Sequence, residues 1–361
     1  MLRPMSQTGN SASPDSLVGH TVGRFLVDGY VGEELLGKVY SATEPAAGRS
    51  VTLKVLNPTL VNNFEGAGRF QREMLASATV AEHPNAVAML DFGDHRGIFH
   101  YLVMEAFDAR ALGDDITAGP MDPDRVARIA YQIASVLNTA HQSQIVHRNL
   151  TPENILLLNN VKGDYVKVRD FGMSRMLDPE QAGEVLTSAG ARVGTVTYQA
   201  PEYIEGGRVD PRGDLYALGI LMYEMLAGQP PFRGKKSAVI EQHCDGPVPR
   251  PSAEASNVPP WLDDLVFALL SKEPEDRPRD GGVVMQTIGK GLGSRVMLPE
   301  IITQATKSHL GGSPAVADEP AAKSGSGKAA AAAAGAGLLM LAGLGGLLLV
   351  IALIVAAYFL M

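Results

Sequence analysis

The chain holds a single cysteine, Cys244, which excludes an internal disulfide framework and the repeated cysteine motifs of zinc sites. Its eight histidines are scattered, with no HExxH pair. Charge is scarce as well: Asp, Glu, Lys and Arg make up 19% of the 361 residues, against roughly 25% in an average globular domain. The shortfall is local, since Lys328 is the last charged residue and the final 33 positions carry none. No basic block offsets the net charge of −8, which argues against a nucleic-acid partner. What is present fits a reducing-compartment globular protein with a hydrophobic end. The chain is too long for one compact core and suits two lobes or domains with appendages.

Residues 1–20 are small and polar, without the apolar core of a secretory signal, and read as a disordered lead-in. A globular stretch follows over 21–295. Its first part, 21–105, predicts strands: Arg24 to Val31, Lys38 to Ala42, Val51 to Leu56 and His100 to Met104 are rich in β-branched and aromatic residues and bounded by Gly or Pro. One helical stretch, Gly68 to Val80, interrupts them. Its second part, 106–295, predicts helices. Asp122-Pro123 supplies a cap and a first-turn proline, and Val126, Ile129, Ile133, Val136 and Ala140 recur at helical spacing.

Residues 296–335 shift to Ser, Gly, Ala and isolated Lys, the composition of a low-complexity linker. The segment 337–361 predicts a transmembrane helix. Leu338 to Leu360 is apolar, Gly or Tyr throughout, and at ~1.5 Å per residue its helix is ~35 Å long, enough for a hydrocarbon core of ~30 Å. A helix buried against the globular part is the weaker alternative, because the linker separates the two. Lys323 and Lys328 precede the segment, so the positive-inside tendency keeps the globular part in the cytoplasm. Only Met361 follows, so no sensor domain is expected on the far side. Small residues four apart, Ala342 with Gly346 and Ala352 with Ala356, leave a homodimer open without supporting it.

Several short motifs occur in one order: VGEELLGKVY (31–40), VTLKV (51–55), FQRE ending in Glu73, HPN (83–85), YLVMEAF (101–107), VHRNLTPENILL (146–157), DFG (170–172), GTVTYQAPE (194–202), DLYALG (214–219) and EDRPR (275–279). Each alone is weak, but the series is specific. In it the chain resembles the eukaryotic-type serine/threonine protein kinases of bacteria. The resemblance implies an α+β, two-lobed fold, with a small β-rich N-lobe, a larger helical C-lobe, and ATP and Mg²⁺ between them.

It also implies site residues. Lys54 resembles the lysine that holds the nucleotide phosphates and pairs with Glu73. Asp170 and Asn154 resemble the metal ligands, and one carboxylate with one amide suits magnesium. Gly32, Gly37, Val39, Glu105, Phe107 and Leu156 fall at nucleotide-binding positions. For Met104 in the same hinge run, plain core packing explains the residue as well as ligand choice does. Arg148 resembles an arginine that grips a phosphorylated activation segment, where Thr187, Ser188 and Thr195 offer hydroxyls; an unmodified loop explains these residues equally well. Glu202 with Arg277 resembles a structural ion pair, Asp214 a cap of the catalytic loop, and His147 a packing residue.

The sequence departs from the family at HRNLTPEN. Asn149 replaces the aspartate that accepts the substrate hydroxyl proton, and Thr151 replaces a lysine that steadies the γ-phosphate. An amide accepts no proton at neutral pH. Glu34 replaces the middle glycine of the nucleotide loop and brings negative charge toward the expected phosphates; Thr52 adds bulk over the adenine. These departures point to a membrane-anchored, nucleotide-binding pseudokinase that acts as a signalling or scaffold module on an unknown protein partner. The alternatives are a slow but active kinase and a scaffold that has lost nucleotide.

Overall fold

The computed structural model describes residues 17–34, 37–57, 79–160, 163–171, 196–207 and 210–293. Alternation of apolar and polar residues sets the first sheet, since successive side chains of a strand face opposite sides. Its strands are β1 (Thr21–Val22), β2 (Phe25–Glu34), β3 (Gly37–Glu44), β4 (Arg49–Leu56), β5 (Met89–His95) and β6 (Phe99–Glu105). They pair antiparallel in the order β1-β2-β3-β4-β6-β5. Phe25, Val27, Tyr40, Val51, Leu53 and Val103 form the buried face.

Leu17 and Val18 pack against that face. Gly19 N donates to Val27 O at 2.9 Å, and Val27 N to His20 O at 3.0 Å. Residues 17–20 therefore belong to the small lobe, not to a disordered lead-in. The polar residues before them hide this, because Leu17 and Val18 are only two apolar residues at the end of a polar stretch.

The second lobe is built around helices. After β7 (Arg110–Ala111) come α1 (Leu112–Thr117) and α2 (Pro123–Gln142). Asp122 caps α2 by accepting from Arg125 N at 3.0 Å, and Val126, Ile129, Ile133, Val136 and Ala140 line its buried face. Beyond β8 (Ile155–Asn160) and β9 (Gly163–Val168) follow α3 (Pro201–Ile204), α4 (Arg212–Ala227), α5 (Lys236–Cys244), α6 (Pro260–Leu269) and α7 (Gly281–Leu292). Helix α4 is buried on nearly every side and stops at Gly228, whose φ of +74° only glycine adopts freely.

Strands β7-β8-β9 form a small sheet inside this helical lobe, where the sequence reading predicts helix. The run Ile155 to Leu158 is continuously apolar, and periodicity alone does not separate a short buried strand from a helix turn. Its function is to carry the residues that follow. The His83-Pro84-Asn85 turn joins this sheet to the rest: Asn85 Nδ2 donates to Gln132 Oε1 (3.1 Å) and Val166 O (2.8 Å), and Val168 N donates to Asn85 O (2.7 Å).

Among the described residues no helix is long and apolar enough to cross a membrane. The expected linker (296–335), the expected span (337–361) and nearly all of the expected helix over 68–80 lie outside the described residues.

Among the described glycines of the small lobe, Gly37 lies closest to neighbouring backbone. Its φ is +147°, and a Cβ there would lie 2.0 Å from Val55 O. Gly37→Ala is therefore expected to cost about 1–3 kcal/mol in backbone strain before any clash is counted, read as a lower melting temperature. An unchanged melting temperature would contradict this account of the turn.

Candidate active site

Strand β4 carries Lys54 between Val39 of β3 and Leu102 of β6, with only 1% of the residue exposed. A buried ammonium is tolerated only when it is paired. Lys54 Nζ donates to Asp170 Oδ1 at 3.1 Å and Oδ2 at 3.3 Å, and lies 2.8 Å from Glu34 Oε2. Burial works against its charge, yet Asp170 and then Glu34 outweigh burial and hold the ammonium above the usual lysine range. For Asp170 burial also favours the neutral form; Lys54 and then Arg169 prevail and hold the carboxyl below its usual range.

Asp170 has φ +65°, a left-handed geometry that costs an L-residue of order 1–3 kcal/mol. Its neighbours impose it. Arg169 N donates to Asn154 O at 3.0 Å, and His147 Nε2 donates to Arg169 O at 2.9 Å. The His147 ring, fully buried, meets Phe171 edge-on at 4.7 Å. His147 thus packs and orients, with Nδ1 accepting from Asn149 N at 3.3 Å.

Asp214 of α4 holds the loop from behind. Its Oδ2 accepts from His147 N and His141 Nε2, and its Oδ1 from Arg148 N, all at 2.8 Å. Burial pushes the Asp214 carboxyl up, but the bond from His141 and the His147 contacts bring it below the usual range. Arg148 itself sits at φ +62°. Within the loop, Asn154 N donates to Thr151 O at 3.0 Å and Asn154 Nδ2 to Asn149 O at 2.8 Å. Thr151 is buried. Asn149 Oδ1 is buried and accepts no hydrogen bond among the described residues.

Arg169, which the sequence reading passes over, completes the site. Its Nε donates to Asn154 Oδ1 at 3.2 Å and lies 3.8 Å from Asp170 Oδ2, while Nη1 lies 3.1 Å from Glu34 Oε1. The signal available was a basic residue directly before Asp170.

The remaining nucleotide positions divide. Val39 is buried, Thr52 stands opposite Met104 in the β4–β6 register, and half-buried Leu156 pairs with Ala111. Glu105 is committed elsewhere: its Oε2 accepts from Ala88 N at 3.1 Å and Lys167 Nζ at 3.3 Å. The Phe107 ring lies 4.9 Å from the same ammonium, whose pKa burial lowers and Glu105 partly restores. A Cβ at Gly32 would meet no described atom within 4 Å. Glu73, Thr187, Ser188 and Thr195 lie outside the described residues.

Arg277 and Glu202 form a bidentate pair, with Nη1 to Oε1 and Nη2 to Oε2 both at 2.8 Å. The Arg277 side chain is fully buried, and its other donors reach the carbonyls of Ser271, Lys272 and Arg212. Removing one partner of a buried pair costs about 3–5 kcal/mol. Glu202→Gln is expected to lower the denaturant midpoint strongly with little change in slope; a midpoint like the parent's would contradict a structural role.

The protein kinase domain family matches residues 25–289. The serine/threonine-protein kinase pkn3 of Myxococcus xanthus is 34% identical over 270 residues, which cover 73% of this chain and 49% of that protein. The serine/threonine-protein kinase PknB of Mycolicibacterium smegmatis is 35% identical over 318 residues, 85% of this chain and 49% of that one. The chain thus spans about half the length of these curated relatives. Among solved structures, the Mycobacterium tuberculosis PknI kinase domain is similar with a TM-score of 0.58 and 24% identity, covering 75% of this chain and 97% of that one, a likeness of fold.

Proteins of this family use ATP and magnesium. Asp170 and Asn154 offer the right kind of oxygen for that ion. Both, however, already face cations: Lys54 bonds both Asp170 oxygens, and the Arg169 guanidinium lies against Asn154 Oδ1 and Asp170 Oδ2. As arranged, these residues do not fit a divalent ion.

Proposed function

This chain belongs to the protein kinase domain family, and on that basis we propose that it is a serine/threonine protein kinase that binds ATP and transfers its terminal phosphate slowly to protein hydroxyls. The observation that carries this reading is the buried Lys54–Asp170 pair beside Asn154. The names of the relatives, serine/threonine-protein kinases in Myxococcus and Mycolicibacterium, favour a working enzyme over the pseudokinase that the departures at HRNLTPEN suggest.

Phosphoryl transfer asks the protein mainly to position groups and balance charge. Lys54 supplies a fixed positive charge to a phosphate oxygen once Glu34 moves aside. Asn149 accepts a hydrogen bond from the substrate hydroxyl once its Oδ1, buried in this arrangement, turns toward the cleft, and so orients the hydroxyl but takes no proton. The loose transition state lets that proton leave late, which keeps some turnover. General-base help is worth about 10²–10⁴ in rate, and that is the measure of the deficit.

A pseudokinase is the second reading. It is favoured by one specific observation, the Glu34 carboxylate lying on Lys54 where a phosphate would go. Weakened nucleotide binding belongs to both readings. Labelled-ATP transfer by the full chain, beside Asp170→Ala, separates them. Slow labelling lost in the control is expected; none above the control would leave the pseudokinase. Asn149→Asp with Thr151→Lys is expected to raise transfer about 100-fold or more, and no gain would contradict this account of the deficit.

We also propose that segment 337–361 anchors the chain in a membrane, on the strength of its uncharged, apolar sequence. The full chain is expected to sediment with membranes and a chain ending at residue 335 to be released. Equal release of both would refute the anchor.

A further inference from the structure

Four charged side chains meet at the site: Lys54 and Arg169 are positive, Glu34 and Asp170 negative. They balance without a metal. Glu34 bridges the two cations, with Oε2 at 2.8 Å from Lys54 Nζ and Oε1 at 3.1 Å from Arg169 Nη1. Two oxygens of one phosphate group make the same bridge, so Glu34 holds the arrangement a phosphate would take.

The four groups are unequally held. Lys54 and Asp170 are enclosed, with side chains 1% and 11% exposed, whereas Glu34 is 29% exposed at the end of β2. Glu34 therefore leaves for water at the least cost. Arg169 is tied to the catalytic loop through Asn154 Oδ1, so it stays to meet the incoming group. A guanidinium is always charged, is weakly hydrated and offers a planar fork that matches phosphate oxygens. A divalent ion would have to expel this guanidinium from the two oxygens it needs.

We propose that Lys54 and Arg169 form a phosphate-binding pair that holds a nucleoside di- or triphosphate without a divalent cation, and that Glu34 is the internal carboxylate the nucleotide displaces. Arg169 does the electrostatic work that the family gives to magnesium at Asn154 and Asp170. Glu34 makes the site self-competing: nucleotide binds only as far as its phosphates outbid the tethered carboxylate. The inference rests on the reading that the chain binds nucleotide.

The test is calorimetric titration of the full chain with ADP in EDTA and again with excess magnesium. The parent is expected to bind in both, with affinities within about threefold, well under the tenfold that 1.4 kcal/mol represents. Arg169→Thr is expected to lose about tenfold or more in EDTA, as for one charge-assisted hydrogen bond, and magnesium is expected to restore it. Glu34→Gly is expected to tighten ADP about tenfold in both buffers, while adenosine, which has no phosphates, binds Glu34→Gly and parent alike. Should Arg169→Thr fail to fold, the parent's two titrations and Glu34→Gly still decide. ADP binding by the parent that appears only with magnesium would overturn the inference and leave the kinase reading standing. No ADP binding in either buffer would overturn both.

Discussion

A lysine ammonium buried to 1% exposure has to be surrounded by opposite charge, and much of the site's layout follows from that need. Lys54 hangs from the middle strand pairings of the small lobe; its partner Asp170 comes from the large one. The bond between them therefore links the lobes across the cleft. Removing either side would leave a buried charge with only its weaker partner, Glu34 for Lys54 or Arg169 for Asp170, which is costlier than losing an exposed ion pair. Glu34 adds a third charge to the cluster and Arg169 a fourth, and the cluster closes on itself.

The large lobe makes this geometry durable. Asp170 and Arg148 both adopt left-handed backbone angles, which neighbouring contacts must enforce. Asp214 grips two consecutive amides of the catalytic loop, His147 clasps the carbonyl before Asp170, and Asn154 ties both ends of the segment together. The Arg277–Glu202 pair fixes the next layer down. The backbone of the 147–154 loop and of Asp170 is thus fixed from several sides.

Much of this was legible in the sequence because ordered motifs tie residue types to places. The motifs alone place Lys54, Asn154, Asp170, Asp214, Glu202 and Arg277 in the fold. Other features escaped for physical reasons. Leu17 to His20 join the small lobe through two apolar side chains and two backbone bonds, too short a signal to stand out at the end of a polar stretch. Strands β8 and β9 are short and apolar, so their period is ambiguous. The motif series pairs Lys54 with Glu73, which lies outside the described residues; its contact with Asp170 depends on how two lobes meet and its contact with Glu34 on where the end of β2 lies within the small lobe, and spacing along one chain encodes neither. Arg169 was missed because a basic residue beside a motif looks like ordinary solvated surface until Asn154 and Glu34 are seen around it.

The account's central claim is that Lys54 is kept charged by carboxylates that a nucleotide must share or replace. The most direct measurement is an NMR titration of the ¹⁵N-labelled Lys54 ammonium in the full chain. The signal is expected to stay protonated through pH 10.5, the ordinary lysine value, and to move when ADP is added. An ammonium that loses its proton below that value, or a signal indifferent to saturating ADP, would contradict it.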